Sequence, residues 1–87
     1  MWSEVETNRW TWTADTDMHL LLRADGTMWE LHVSDVAYLH RYAPAGEPGE
    51  QPLDGATWRD TRELPDLPAT ESAGWEALTE AATGGIG

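Results

Sequence analysis

Two short apolar runs on either side of Asp25-Gly26 form the clearest pattern in the chain. An Asp-Gly pair between alternating runs favours a tight hairpin, because such turns need left-handed backbone angles. Centring the turn there places His19 opposite His32 and divides the side chains between two faces. One face is wholly apolar and carries Met18, Leu20, Leu22, Trp29, Leu31 and Val33. The other face is mixed and mostly polar and carries His19, Leu21, Arg23, Met28, Glu30 and His32.

Trp10 and Trp12 alternate with arginine and threonine, a pattern that favours a half-buried strand before this hairpin. A three-residue loop at 15–17 would place both tryptophans on the apolar face. A four-residue loop would instead place them beside His19 and Leu21 on the other face. We favour the first register because it enlarges a single core. The tryptophans assigned to that core are Trp12, Trp29 and Trp75, with Trp10 next.

Residues 34–42 fit two kinds of element. Ser34 is suited to capping a short helix, whereas the alternation of Tyr38, His40 and Tyr42 suits a strand. We favour the short helix. Near the N-terminus, residues 2–6 predict another strand that ends in a turn.

The chain after residue 42 begins with a segment rich in proline and glycine. Residues 43–56 therefore predict a loop, and residues 57–64 predict an edge strand. A helix follows from about residue 71 to residue 83, with Thr70 or Ser72 as its cap and Gly84 after its end. The apolar stripe expected to face the sheet consists of Trp75, Leu78 and Ala82.

These elements together predict an α+β fold. We expect an antiparallel β-meander of three to five strands, with one C-terminal helix packed on its apolar face and a second short helix at 34–42. Residues 1–83 are expected to form a single small domain, and residues 84–87 a flexible tail.

Composition limits the class of protein. The chain has 87 residues and no cysteine, so neither a disulfide framework nor a cysteine-based zinc site is expected. The longest apolar run, Leu20–Leu22, is far shorter than the roughly 20 residues of a membrane span. No signal peptide is visible, and we expect a cytoplasmic protein without membrane partners.

Charge narrows the kind of partner. Sixteen acidic side chains face five arginines and no lysine, for a formal net charge of −11. This balance argues against direct binding of nucleic acid, because that affinity comes from cationic side chains that neutralise phosphates. Residues 1–43 carry seven acids and three arginines, and residues 44–87 carry nine acids and two arginines, so the halves differ as −4 and −7.

The acidity of the second half suggests a binding surface. Glu76 and Glu80 lie one turn apart on the predicted helix without a base in its last turn, an arrangement that local stability does not require. The alternative is a solvated acidic face without a partner. The residues predicted to meet a basic protein surface are Asp60, Glu63, Asp66, Glu76 and Glu80.

Catalytic and metal motifs are weak. The chain has no cysteine nucleophile and no G-x-S-x-G element, so we expect a protein that is not an enzyme. His19 and His32 would lie within reach of one metal ion if they are opposed on adjacent strands, with His40 as a third ligand and Asp17 or Asp35 nearby. No established metal motif contains them, so we predict neither a metal nor another cofactor and keep metal binding as a third hypothesis.

Two other functions rank above metal binding. The first is a non-enzymatic inhibitor that occupies the basic, nucleic-acid-binding surface of a partner protein. Phage anti-defence proteins, including anti-CRISPR proteins, are often of this type, although no motif assigns the chain to a known family. The alternative is an adaptor that binds through exposed tryptophan or tyrosine anchors, with Trp58 as the first candidate.

Overall fold

In the described part of the chain, six consecutive strands pair with their chain neighbours in one antiparallel sheet, in the order β1 to β6. The computed structural model describes residues 2–24, 26–43 and 57–84. The strands and the helix that follows them are β1 (Ser3–Glu6), β2 (Arg9–Ala14), β3 (Asp17–Ala24), β4 (Thr27–Val33), β5 (Ala37–Ala43), β6 (Thr57–Leu64) and α1 (Glu71–Ala82). The predicted α+β meander with a C-terminal helix is confirmed, but the sheet has six strands within these described ranges and not three to five.

The β3–β4 hairpin has the predicted register. His19 lies opposite His32, and the pairing continues to Ala24 and Thr27 beside the turn. Gly26 has a φ of 75°, in the left-handed region that this turn requires. The alternation of the two runs therefore places the side chains of β3 and β4 on their expected faces.

The favoured register of β2 was wrong. Trp12 pairs with His19 and Trp10 with Leu21, so both tryptophans lie on the face opposite the helix. The strands close through a tighter turn than either predicted loop, because Asp15 adopts a φ of 53°. Aspartate tolerates the left-handed region, which the sequence pattern alone does not reveal. Trp12 is 41% exposed and does not belong to the core.

The predicted short helix at 34–42 was also wrong. Residues 37–43 form β5, which pairs with β4 through Leu31 and Leu39. Leu39 then enters the core, while Tyr38 and His40 alternate with it. Pairing with β4 decides the conformation here, since tertiary contacts override a weak local helix signal. The predicted edge strand over residues 57–64 is confirmed as β6.

The main core lies between the sheet and α1, which packs on β3 and β4. Gly74 makes this packing close, because a Cβ there would collide with Leu20 Cδ1 and approach Leu31 Cδ2 to 3.1 Å. The buried residues of this core are Leu20, Leu22, Leu31, Val33, Ala37, Leu39, Leu78 and Ala81.

The helix has the predicted ends. Thr70 accepts a hydrogen bond from the Ala73 backbone N–H at its hydroxyl, and Gly84 takes a φ of 86° after the last turn. Its buried side is centred on Leu78, with Trp75 and Ala82 half-buried at the margin of the core. No helix among the described residues has the length and apolar character needed to cross a bilayer.

The predicted proline-rich loop and flexible tail lie mainly outside the residues that the structure describes. Residues 44–56 and 85–87 are not among the described residues.

Candidate functional site

The sheet has two unlike sides, and the side opposite α1 carries a row of aromatic and imidazole rings. We call this side the open face. Neighbouring rings are 4.2–6.5 Å apart between centroids along the row. The row runs through Trp2, Trp12, His19, His32, Tyr38, His40 and Tyr42.

A second apolar cluster lies on the open face. Trp10, Leu21 and Met28 are buried there, and the half-buried Trp2 and Tyr42 pack against them. The rings of Trp2, just before β1, and of Tyr42 in β5 therefore contribute burial on this side, as the helix does on the other side of the sheet. This cluster was not expected, because the pattern of β3 and β4 alone indicated a mostly polar face.

Glu30 is a buried carboxylate within the open face. It is 6% exposed, and both carboxylate oxygens have partners. His19 Nδ1 lies 2.8 Å from Oε2, and the Tyr42 hydroxyl donates to Oε1 at 3.0 Å. Burial and the adjacent carboxylate raise the pKa of Tyr42 well above its ordinary range, so this hydroxyl remains a donor at neutral pH.

A compact group of three polar side chains lies at the start of β3. It consists of Asp17, His19 and His32. His32 Nε2 lies 3.1 Å from Asp17 Oδ2, and the rings of His19 and His32 stack at 4.2 Å with planes 9° apart. One potential ligand atom from each residue lies within 4.8 Å of the others. The two histidines lie opposite each other as predicted, and the Asp17 carboxylate, two residues before His19, lies beside them.

His40 lies on the same face but outside this group. Its Nδ1 is 2.9 Å from the Thr61 hydroxyl on β6. Burial lowers the pKa of His40, Glu30 raises it, and His32 and His19 lower it again, with a net decrease. His40 was a conceivable third metal ligand, but the structure instead directs it toward Thr61.

The acidic residues predicted as one surface are divided among three places. Asp66, Glu76 and Glu80 line a groove of about 480 Å³ between α1 and the link that follows β6. Asp60 lines a separate pocket of about 200 Å³ beside Arg41. Glu63 pairs with Tyr38 and therefore lies on the side of the open face.

The predicted aromatic anchor is only partly described. The backbone of Trp58 belongs to β6 and pairs with Tyr42, while its side chain lies outside the described part of the structure. Trp12 is the large aromatic residue exposed among the described residues. The sequence reasoning placed Trp12 in the core and so missed it as a surface ring.

Comparison with known proteins gives no relative. No protein-family model, curated protein or solved structure matches the chain.

Proposed function

We propose that the chain is a non-enzymatic acidic binding module that occupies a basic surface of a partner protein, of the kind that binds nucleic acid. The groove between α1 and the link after β6 is the proposed contact. Its occupant is a segment of the partner with an apolar side chain flanked by lysine or arginine.

The lining of the groove supports this occupant. Leu64 and Leu67 are half-buried and Ala77 is buried, so the floor is apolar. The exposed carboxylates of the rim belong to Asp66, Glu76 and Glu80. An apolar floor receives an aliphatic side chain, while the carboxylates attract cations on either side of it.

The rim is not arranged for the stability of the helix. Glu76 and Glu80 are like charges at i and i+4, which cost a few tenths of a kcal/mol in an isolated helix. No base occupies the last turn of α1 to complement its dipole. A cationic partner would reduce the repulsion between Glu76 and Glu80 and would complement the helix dipole. Both effects would therefore favour binding.

The direct test compares two variants of equal net charge. Asp66→Asn, Glu76→Gln and Glu80→Gln together neutralise the rim and change the net charge from −11 to −8. Glu4→Gln, Asp15→Asn and Asp35→Asn change it equally at exposed sites that do not line the groove. The probe is a fluorescently labelled peptide with two leucines between pairs of arginines, titrated by anisotropy.

We expect the rim variant to bind at least about tenfold more weakly than the control variant, since charge pairs at an interface contribute locally as well as through steering. Binding by wild type should also weaken from about 50 mM to about 500 mM salt as screening increases. Equal affinities of the two variants would remove the groove from the proposal. Affinity independent of salt would remove the role of charge.

A further inference from the structure

We propose that Asp17, His19 and His32 bind one divalent transition-metal ion of the zinc class on the open face. The proposal rests on the geometry of β3 and β4 and is independent of the acidic groove. The ligand set is two imidazole nitrogens and one carboxylate oxygen, with a remaining position for water or for a ligand from a partner.

The hairpin itself brings the three residues together. Direct opposition places His19 and His32 on adjacent strands and on the same face. Asp17 is two residues before His19 in β3, so alternation gives it the same face. The ligand atoms lie at most 4.8 Å apart, and side-chain rotation must bring them to the roughly 3.4 Å that separates two ligands of one tetrahedral ion.

The surroundings of His19 resemble the outer shell of a metal-bound histidine. Its Nδ1 is 2.8 Å from Oε2 of the buried Glu30. An ionised carboxylate can accept a hydrogen bond but cannot donate one. Nδ1 therefore carries the proton, and in the neutral ring Nε2 presents its lone pair. Metal-bound histidines commonly donate their second nitrogen to a carboxylate in this way, which fixes the ring and increases its basicity.

Tyr42 extends this support by one more bond. Its hydroxyl donates to the other oxygen of Glu30 at 3.0 Å, so the carboxylate is held from two sides. Burial of a carboxylate costs free energy even when it is hydrogen-bonded, and a cation at His19 Nε2 would place positive charge one ring away from it. The buried carboxylate of Glu30, held by His19 and Tyr42, is thus a group that packing alone does not require.

The contact between His32 and Asp17 suits a shared ion. Their ligand atoms are 3.1 Å apart. Two ligands at about 2.1 Å from a tetrahedral zinc ion are separated by about 3.4 Å, so a small change in distance allows joint coordination. His32 Nε2 carries the proton of its contact with Asp17 in the absence of the ion, so metal binding requires this ring to present its other tautomer, with the proton on Nδ1. Both side chains are partly exposed, which gives an ion a route from solvent.

One rearrangement is required. The rings of His19 and His32 lie almost parallel, while the lone pair of an imidazole nitrogen lies in the plane of its ring. Both rings can address one ion only if their planes separate. His32 is the ring expected to turn, because Glu30 fixes His19.

The ligand chemistry selects the class of ion. Imidazole nitrogen suits zinc, cobalt, nickel and copper, whereas calcium and magnesium prefer all-oxygen sites. An acidic protein also attracts divalent ions weakly at its surface carboxylates. A large excess of Mg²⁺ should occupy those carboxylates and leave the imidazole site available.

The experiment titrates the full chain with Zn²⁺ by calorimetry in excess Mg²⁺, and with Co²⁺ by visible absorption. Wild type should bind one equivalent and give cobalt bands typical of a nitrogen and oxygen ligand set. His32→Gln removes a ligand, and His40→Gln is its control, with the same substitution on the same face. Asp17→Asn is likewise matched by Asp15→Asn in the same turn.

We expect His32→Gln to lower zinc affinity by about 100-fold or more and His40→Gln to leave it within about threefold. Tyr42→Phe should lower it by about tenfold through Glu30, without removing any ligand. Circular dichroism tests whether each variant is folded. Equal affinity of His32→Gln and His40→Gln, or a folded wild type without saturable binding of one equivalent, would overturn the proposal.

Discussion

The two faces of the sheet are made from the same strands but are closed in different ways. On one face, α1 covers a continuous set of aliphatic side chains around Leu20 and Leu31. On the open face, Leu21 and Met28 are equally buried, yet aromatic rings from distant strands contribute to their cover and Glu30 lies among them. Alternation thus generates one face suited to folding and one that combines burial with polar chemistry.

The difference indicates where stability and function separate. A buried carboxylate is costly even when it is paired, and an aliphatic residue at that position would serve packing at least as well. Glu30 nevertheless holds His19 and Tyr42 in fixed positions. The open face therefore contains organised polar groups that the fold itself does not need.

The sharpest test of this contrast uses two adjacent leucines. Leu20 and Leu21 are both fully buried but lie on opposite faces. We expect Leu20→Ala to lower the free energy of unfolding by about 4–5 kcal/mol, because the helix prevents the cavity from collapsing. Leu21→Ala should cost about 2–3 kcal/mol, since the neighbouring rings can move into the space. Urea denaturation measures both values, provided that the dependence of the unfolding free energy on urea concentration is the same in wild type and variants.

Valine substitutions provide the control for this test. Leu20→Val and Leu21→Val make smaller cavities, so the comparison survives if Leu20→Ala does not fold. A cost for Leu21 that equals or exceeds that for Leu20 would contradict the distinction between a rigid and an adaptable face.

How far the sequence predicts each face follows from the same contrast. The register of β3 and β4 was predictable because alternation and Asp25-Gly26 act locally, and it brought His19 opposite His32. The end of α1 was predictable for the same reason. The part of the helix-covered core that comes from β3, β4 and α1 therefore followed from patterns within single elements, whereas Leu39 joined it through the unpredicted strand β5.

The open face was less predictable because it depends on pairing between elements. The face of Trp12 depends on one residue of loop length, which the left-handed Asp15 decides. The strand containing Tyr42 forms because β4 offers an edge, not because its own sequence excludes a helix. Glu30 interrupts an apolar run, which was a usable signal, but its burial required both of those strands to be placed first.

A second prediction concerns the hydrogen bond from Tyr42 to Glu30. Tyr42→Phe removes one donor from a buried carboxylate and should lower the free energy of unfolding by about 1–3 kcal/mol. Tyr38→Phe on the same strand is the control and should cost about 0.5 kcal/mol or less, since its ring contacts remain. Similar losses in the two variants would show that the Glu30 network adds nothing to the open face beyond ring packing.

The smallest expected effect is a pH dependence that arises at His40. Burial is the largest cause of its lowered pKa, so the folded state binds this proton less readily than the unfolded chain does. Its contribution to stability is therefore present above the ordinary histidine pKa of about 6.5 and is lost as the pH falls from there through the lower folded value. His40→Gln should remove that part of the decline and leave the neutral-pH stability nearly unchanged. Urea midpoints at several pH values between about 5 and 8 give the slope for both proteins. If the change of stability with pH has the same slope in the variant, other groups account for the acid sensitivity. His40 would then be as well hydrated in the folded protein as in the unfolded chain.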